Sequence, residues 1–193
     1  MTRNGRHGFT IIELLIIIVL VAILASITVV SYGGIQGRAE KVRTESVVKT
    51  YMKALEMHYS EFGRYPVVAY SYAAICLGTL EDYPAADGFA AGQCRKNATD
   101  LTLFGSADNE LNSRISRYGS TLRSNVPLQP KTLWWGGGNL SQRGIAFSNL
   151  DPTWYSIVYL LPGNQTCTNM GSGIVTQYMA SQNTTGCAVT VWH

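Results

Sequence analysis

Residues 8–13, with the sequence GFTIIE, decide the fold of this chain. They join a short basic leader to an apolar run, residues 9–30, in which Glu13 is the one charged residue. A carboxylate inside a membrane-length apolar segment costs roughly 2.5–3.5 kcal/mol on insertion scales. A sequence tolerates that cost most readily when the charge has a partner, so Glu13 is the first candidate functional residue.

The apolar run is long enough to cross a membrane as a helix, since about 20 apolar residues span the hydrocarbon core. Arg3 and Arg6 precede it. Positive charges favour the cytoplasmic side, so we expect the N-terminus inside and the rest of the chain outside. Two alternatives remain. The run is a cleaved secretory signal with Ala22 and Ala25 near its end, or a plain anchor that gives Glu13 no purpose.

The four cysteines agree with a location outside the cytoplasm, where an even number indicates disulfides. They are Cys76, Cys94, Cys167 and Cys187, and they allow three pairings. Sequential pairing would close two loops of about 20 residues, each contributing about 3 kcal/mol in the chain-entropy model. No CxxC spacing occurs and histidines are few, so we predict no metal site.

A helical period continues beyond the apolar run as the polarity rises. Apolar residues recur there mostly at steps of three and four up to Phe62, which predicts an amphipathic helix. Gly63 is a natural stop and Pro66 cannot continue the helix. The prediction is one helix over residues 9–62, about 80 Å long at 1.5 Å per residue. Gly33–Gly34 is its expected weak point, and the absence of strict heptads disfavours a coiled coil.

The rest of the chain reads as a connection followed by a sheet. Residues 63–130 are expected to be loop-rich and to contain one short helix. Ser106 is its expected N-cap, Leu111 and Ile115 share one of its faces, and Gly119 is its expected end. Short segments rich in aromatic and β-branched residues follow, separated by Gly, Pro and Asn. The predicted strands are residues 133–135, 143–147, 154–161, 174–179 and 188–192. The predicted fold class is α+β, with the long N-terminal helix packed on a C-terminal antiparallel β-sheet.

Several function classes find no support in the sequence. It contains no G-x-S-x-G, HExxH, phosphate-loop or paired-carboxylate motif, so we predict no enzyme, no catalytic residue and no cofactor. The formal net charge of +3 is too small to indicate a specific nucleic-acid partner.

Gly8, Phe9 and Glu13, placed at this spacing ahead of an apolar run, resemble the class III prepilin signal of type IV pilins and type II secretion pseudopilins. Residues 63–66, GRYP, resemble the Gly-x-Tyr-Pro that often follows the long helix in that family. The resemblance implies that a prepilin peptidase cleaves between Gly8 and Phe9 and that Phe9 becomes N-methylated. Glu13 would then face the Phe9 amine of a neighbouring subunit and set its axial register.

The same resemblance implies how the chain is organised and where it works. Cys167 and Cys187 suit the disulfide that often closes a C-terminal loop in pilins. The protein would cross the cytoplasmic membrane once before assembly and lie in an extracellular pilus afterwards. Its partners would be the peptidase, copies of itself and related pilins, the membrane and a pilus assembly platform. The expected segments are a leader at 1–8, a transmembrane and assembly helix at 9–31, the amphipathic half of the helix at 32–62, the connecting region at 63–130, and the antiparallel sheet with its disulfide loop at 131–193.

The resulting functional prediction is a structural subunit of a type IV pilus-like filament for adhesion, twitching motility or DNA uptake. The alternatives are a pseudopilin of a type II secretion system, a minor pilin, and a membrane-tethered binding domain that never polymerises. Major pseudopilins usually carry an acidic calcium loop near the C-terminus. Here no Asp or Glu follows Asp151, which favours the pilus interpretation.

Overall fold

A computed structural model describes residues 10–67, 74–97, 103–107, 109–119, 126, 131–135, 138–149, 151–171, 173–181 and 183–193. The chain divides into two compact units, Met1–Arg38 and Ala39–His193, called here the N-terminal unit and the globular unit. The helices are α1 (Ile11–Phe62) and α2 (Asn109–Ser116), with a 3₁₀ turn at Leu80–Asp82. The strands are β1 (Ala74–Cys76), β2 (Gln93–Asn97), β3 (Leu103–Ala107), β4 (Lys131–Trp135), β5 (Gly138–Gln142), β6 (Ala146–Ser148), β7 (Trp154–Pro162), β8 (Ile174–Ser181) and β9 (Thr184–Trp192).

The N-terminal unit contains the first part of α1, whose side chains are exposed from Thr10 to Ile27. The helix continues without a break through the two glycines at positions 33 and 34, which confirms the single long helix. No helical stretch among the described residues is both long enough and apolar enough to cross a membrane. The membrane role of residues 9–31 stays a prediction.

The second part of α1 supplies the helical layer of the globular unit. Val48, Tyr51 and Leu55 have no exposed surface, and they recur at three- and four-residue spacing on one face. Lys49 and Lys53 lie on the exposed face. This arrangement confirms an amphipathic helix here, with two departures, since Val42 is exposed and Glu45 is buried.

The end of α1 is set by a glycine in the left-handed conformation. Gly63 has φ of +66°, and its N–H donates to the carbonyl oxygen of Tyr59 at 2.7 Å. A residue with this φ just beyond a helix satisfies one of the last orphan carbonyls, and glycine adopts it without steric cost. The predicted stop after Phe62 is therefore confirmed. The chain then joins the sheet layer, because the Tyr65 N–H donates to the Pro152 carbonyl at 2.8 Å.

Among the described residues, nine strands form one sheet in the order β4-β5-β2-β3-β1-β6-β7-β9-β8. Every described pairing is antiparallel except β1 with β3, which is parallel. The α+β class is confirmed. The predicted strands at 154–161, 174–179 and 188–192 correspond to β7, β8 and β9, each longer than expected.

Three strands come from the segment that sequence reasoning assigned to the connecting region. β1, β2 and β3 lie within 74–107 and occupy the middle of the sheet. Ser106 is part of β3, where it is in register with Ile75 on one side and Gln93 on the other. The prediction that Ser106 caps a short helix is wrong, because its backbone belongs to the sheet. The helix itself is present as α2, with Leu111 and Ile115 buried.

Alternation along β7 divides its side chains between two faces. Tyr155, Ile157 and Tyr159 share the main hydrophobic core with the buried stripe of α1. Val158 points into a second cluster with Ala188 of β9. Successive strand residues face opposite ways, so both faces of β7 are covered and the strand is buried over most of its length.

A fully buried arginine, Arg143, binds the start of β2 and the loop just before it. Arg143 donates from Nε to the Gln93 carbonyl at 2.8 Å and from a terminal nitrogen to the Ala90 carbonyl at 3.1 Å. Its guanidinium lies 4.7 Å from the centroid of the Phe89 ring. These contacts compensate the cost of removing a cation from water. Burial lowers the pKa of Arg143 from its usual value.

Both disulfides have the sequential pairing. Cys76 of β1 is bonded to Cys94 of β2, and Cys167 is bonded to Cys187 of β9. The first bond lies in a buried cluster, and the second closes the C-terminal loop that contains β8.

The double substitution Cys167→Ala/Cys187→Ala should lower the free energy of unfolding by about 3 kcal/mol, because it releases a loop of about 20 residues. Alanine leaves no unpaired hydroxyl at the buried Cys187 position. Urea denaturation followed by tryptophan fluorescence, without reductant, measures the change. A loss below about 1 kcal/mol would contradict the assigned role, since it would fall outside the usual range for such a loop.

Candidate assembly site

The start of α1 is held by a reciprocal pair of hydrogen bonds between Thr10 and Glu13. The Thr10 N–H donates to Glu13 Oε2 at 2.8 Å, and the Glu13 N–H donates to Thr10 Oγ1 at 3.3 Å. The Thr10 hydroxyl also donates to Glu13 Oε2 at 2.7 Å. This is a capping box, in which two backbone donors at a helix start are satisfied by two side chains.

The capping box gives Glu13 a structural role that the sequence analysis missed. The pattern Ser/Thr-x-x-Glu ahead of an apolar run is its signal, and it is present here as Thr10-Ile11-Ile12-Glu13. A carboxylate in the first turn also interacts favourably with the helix dipole. Each carboxylate oxygen has two lone-pair sites, so the cap does not exhaust the capacity of Glu13 to accept from a second group.

Gly8 and Phe9, the predicted cleavage and methylation positions, lie outside the described residues. The structure therefore places Glu13 beside Thr10, and the predicted meeting of Glu13 with a Phe9 amine stays a prediction.

The helix beyond this cap presents an exposed apolar surface. Large aliphatic side chains from Ile11 to Ile27 have exposed fractions between 49% and 82%. Contiguous apolar patches of more than a few hundred Å² are rare on soluble monomers and mark surfaces that contact a membrane or another protein. Glu13 therefore lies at the start of a surface that is built to be covered.

The C-terminal disulfide loop is fastened to α1 within the globular unit. Lys41 donates from Nζ to the Thr166 carbonyl at 2.6 Å, and the Thr168 N–H donates to Glu45 Oε1 at 3.3 Å. Lys41 and Glu45 are themselves 3.8 Å apart. Cys167 thus lies between two residues that the helix holds, which fixes the base of the loop.

The end of the chain is also tied to α1. His193 Nε2 lies 3.0 Å from Glu56 Oε2, and the imidazole stacks on Tyr59 with ring centroids 4.3 Å apart. The Tyr65 hydroxyl donates to Glu56 Oε1 at 2.9 Å. Burial, followed by this hydrogen bond, raises the pKa of Tyr65 above its usual range. The tyrosine of the GRYP segment is thus a buried link between helix, loop and C-terminus.

The part of the chain that the structure describes contains no candidate metal site, because no three His, Cys, Asp or Glu side chains come together there. The four cysteines are paired as disulfides.

A family model described as the prokaryotic N-terminal methylation motif matches residues 3–29. That segment contains the GFTIIE stretch, the capping box and the exposed apolar helix. The N-terminal segment of the chain is type IV pilin-like.

The chain is also similar to two curated relatives, both named type II secretion system core protein G. The relative from Klebsiella michiganensis is 31% identical over 75 residues, which cover 39% of this chain and 53% of the relative. The relative from Aeromonas hydrophila is 32% identical over 66 residues, which cover 34% of this chain and 46% of the relative. The chain thus spans about half the length of the relatives it matches. No solved structure matches it.

The substitution Thr10→Ala removes the acceptor for the Glu13 N–H and should speed hydrogen exchange of that amide by about fivefold, since an N-cap contributes about 1 kcal/mol. Nuclear magnetic resonance of the full chain in detergent micelles measures the exchange. Thr10→Ser keeps the hydroxyl and serves as the matched control. Equal exchange rates in the alanine and serine variants would contradict the cap.

Proposed function

We propose that this chain is a structural subunit of a pilin-like filament. A prepilin peptidase cleaves it between Gly8 and Phe9 and methylates the Phe9 amine. The remaining chain polymerises through the first part of α1. The exposed apolar face from Ile11 to Ile27, whose first turn contains Glu13, is the observation that carries this proposal.

The apolar face lies in two different environments, one before and one after assembly. Before assembly it lies in the cytoplasmic membrane, with residues 1–8 inside and the globular unit outside. After assembly it packs against the same face of sister helices, where burial contributes about 25 cal/mol per Å² relative to water. One helix surface can be stored in lipid and then buried in a fibre, because both environments exclude water.

Glu13 determines which axial alignment of the packed helices is favoured. Cleavage after Gly8 creates a positive amine at Phe9, four residues before Glu13. A buried carboxylate without a partner is costly, and an opposite charge with good geometry offsets the cost. The Phe9 amine of one subunit therefore pairs with Glu13 of a neighbour, and the pair selects one axial register.

The globular unit carries the surface that distinguishes this filament. Its C-terminal loop is closed by the bond from Cys167 to Cys187, and Lys41 and Glu45 of α1 hold the Cys167 end. We assign the unit to display and packing rather than to catalysis.

A pseudopilus of a type II secretion system is the second candidate, and the names of the two relatives favour it. The absence of any Asp or Glu after Asp151 favours the pilus, since the acidic calcium loop expected of major pseudopilins has no ligands there. Electron microscopy of surface filaments with an antibody to the globular unit separates the two. Labelled filaments indicate a pilus, and loss of protein export on deletion of the chain indicates a pseudopilus.

The substitution Glu13→Gln should abolish filaments while leaving cleavage intact. Glutamine can still complete a capping box at this position, so the variant removes the charge and keeps the cap. Thr10→Ala is the reciprocal control, because it removes the cap, keeps the charge and should still assemble. Immunoblotting of the sheared surface fraction measures assembly.

Two results would contradict the charge-pairing proposal. One is a normal amount of filament from Glu13→Gln. The other is an equal loss from Glu13→Gln and Thr10→Ala, since the cap rather than the charge would then account for the defect.

The substitution Gly8→Asp should leave the leader attached, because a charged side chain then occupies the position before the scissile bond. The full-length product should migrate more slowly than the wild-type protein on a denaturing gel. Gly5→Asp places the same charge within the leader and should be processed normally. Identical mobility of the Gly8 variant and the wild type would contradict cleavage at this bond.

A further inference from the structure

A cavity of about 310 Å³ lies in the globular unit where α1 ends. The last turn of α1, the GRYP segment and the end of α2 form its walls. Three of its lining residues are arginines, namely Arg64, Arg114 and Arg117. The filament proposal uses none of them.

The described residues that line the cavity include arginines and no carboxylate. Glu61 lies beside the lining, 3.4 Å from Arg117, and both side chains are about half exposed. An exposed ion pair of this kind contributes little, so a ligand can displace it at small cost. Arg64 and Arg117 place two guanidinium groups on the wall of the cavity.

Aromatic rings position one of these cations. The Arg117 guanidinium carbon lies 5.6 Å from the centroid of the Phe62 ring and 5.7 Å from that of Tyr118. Guanidinium groups stack favourably on aromatic faces. Phe62 is 46% exposed and Val67 is also 46% exposed, so an apolar wall stands beside the cations.

The hydrogen bond of His58 defines the tautomer of its ring. Its Nδ1 lies 3.0 Å from the Arg64 carbonyl oxygen, so Nδ1 donates and Nε2 becomes the acceptor nitrogen of the neutral ring. Burial and then the charges of Arg114 and Arg117 hold the pKa of His58 below its usual range, although the Arg64 hydrogen bond and Glu61 oppose this. A neutral imidazole can accept a hydrogen bond from a ligand hydroxyl.

We propose that this cavity binds an oxyanion, a carboxylate or a phosphate, carried on a hydroxylated ring such as that of an acidic sugar or a nucleotide. The arginine forks match the planar or tetrahedral oxygens of such a group and can bind two oxygens at once. The aromatic wall receives the ring, and His58 accepts from a ring hydroxyl. A volume of this size falls at the lower end of small-ligand pockets and fits one ring with its anionic group.

Three anions test the proposal by calorimetric titration into the full chain in nonionic detergent. They are glucuronate, adenosine monophosphate and inorganic phosphate. We expect saturable binding of a ring-bearing anion, weakened about tenfold by Arg64→Gln or Arg117→Gln, because each variant removes a charge-assisted hydrogen bond. Arg43→Gln, which removes an exposed arginine of α1 outside the cavity, should leave the affinity unchanged.

The substitution Glu61→Gln should change the affinity in the opposite direction from the arginine variants. A gain in affinity cannot result from a loss of stability, so this variant tests the proposal even if the arginine variants are destabilised. It removes the competing carboxylate, so binding should tighten severalfold. Tighter binding of glucuronate indicates a carboxylate on a sugar ring, and tighter binding of adenosine monophosphate indicates the phosphate of a nucleotide. The proposal is overturned if no probe binds, if inorganic phosphate binds as tightly as both ring-bearing anions, or if Arg43→Gln weakens binding as much as the cavity variants.

Discussion

The apolar surface of α1 must be shielded from water along its whole length, and this requirement organises the molecule. In the globular unit the sheet provides the cover, because Tyr51 and Leu55 share a core with β7 and β9. In the N-terminal unit the side chains from Ile11 to Ile27 are exposed. Fully burying one such aliphatic side chain contributes about 1.5–3 kcal/mol, so the exposed segment strongly favours lipid or another copy of itself over water. In our proposal this surface is what allows a chain with a type IV pilin-like N-terminus to polymerise.

Glu13 combines a local role with a role between molecules. Within the chain it closes the capping box with Thr10 and so defines where α1 begins. Between chains, in our proposal, it is the polar group that makes one alignment of apolar helices better than its neighbours. Apolar packing alone specifies position weakly, and a single buried polar group can specify register at some cost in stability.

The features that sequence reasoning predicted depend on local or periodic signals. The end of α1 follows from Gly63, whose φ of +66° needs no long-range contact. The strand β7 follows from a dense run of aromatic and β-branched residues. By contrast, β1 to β3 are short, and apart from the pairing between β2 and β3 they join the sheet through residues distant in sequence, so no local pattern predicts them. Arg143 was overlooked because arginine is rarely buried, and its partners are carbonyls about 50 residues away.

The candidate sites divide in the same way. The segment from Gly8 to Glu13 is contiguous and could be identified from its spacing, while the cysteine pairing was one of three possibilities until the strands were placed. The arginine-lined cavity draws residues from the end of α1, the following loop and α2, so only the folded chain brings its charges together. Mass spectrometry of the N-terminal peptide of the mature protein tests the proposed assembly mechanism. Processing after Gly8 predicts a peptide that begins at N-methylated Phe9, and a peptide that begins at Met1 or beyond Ala25 would contradict it.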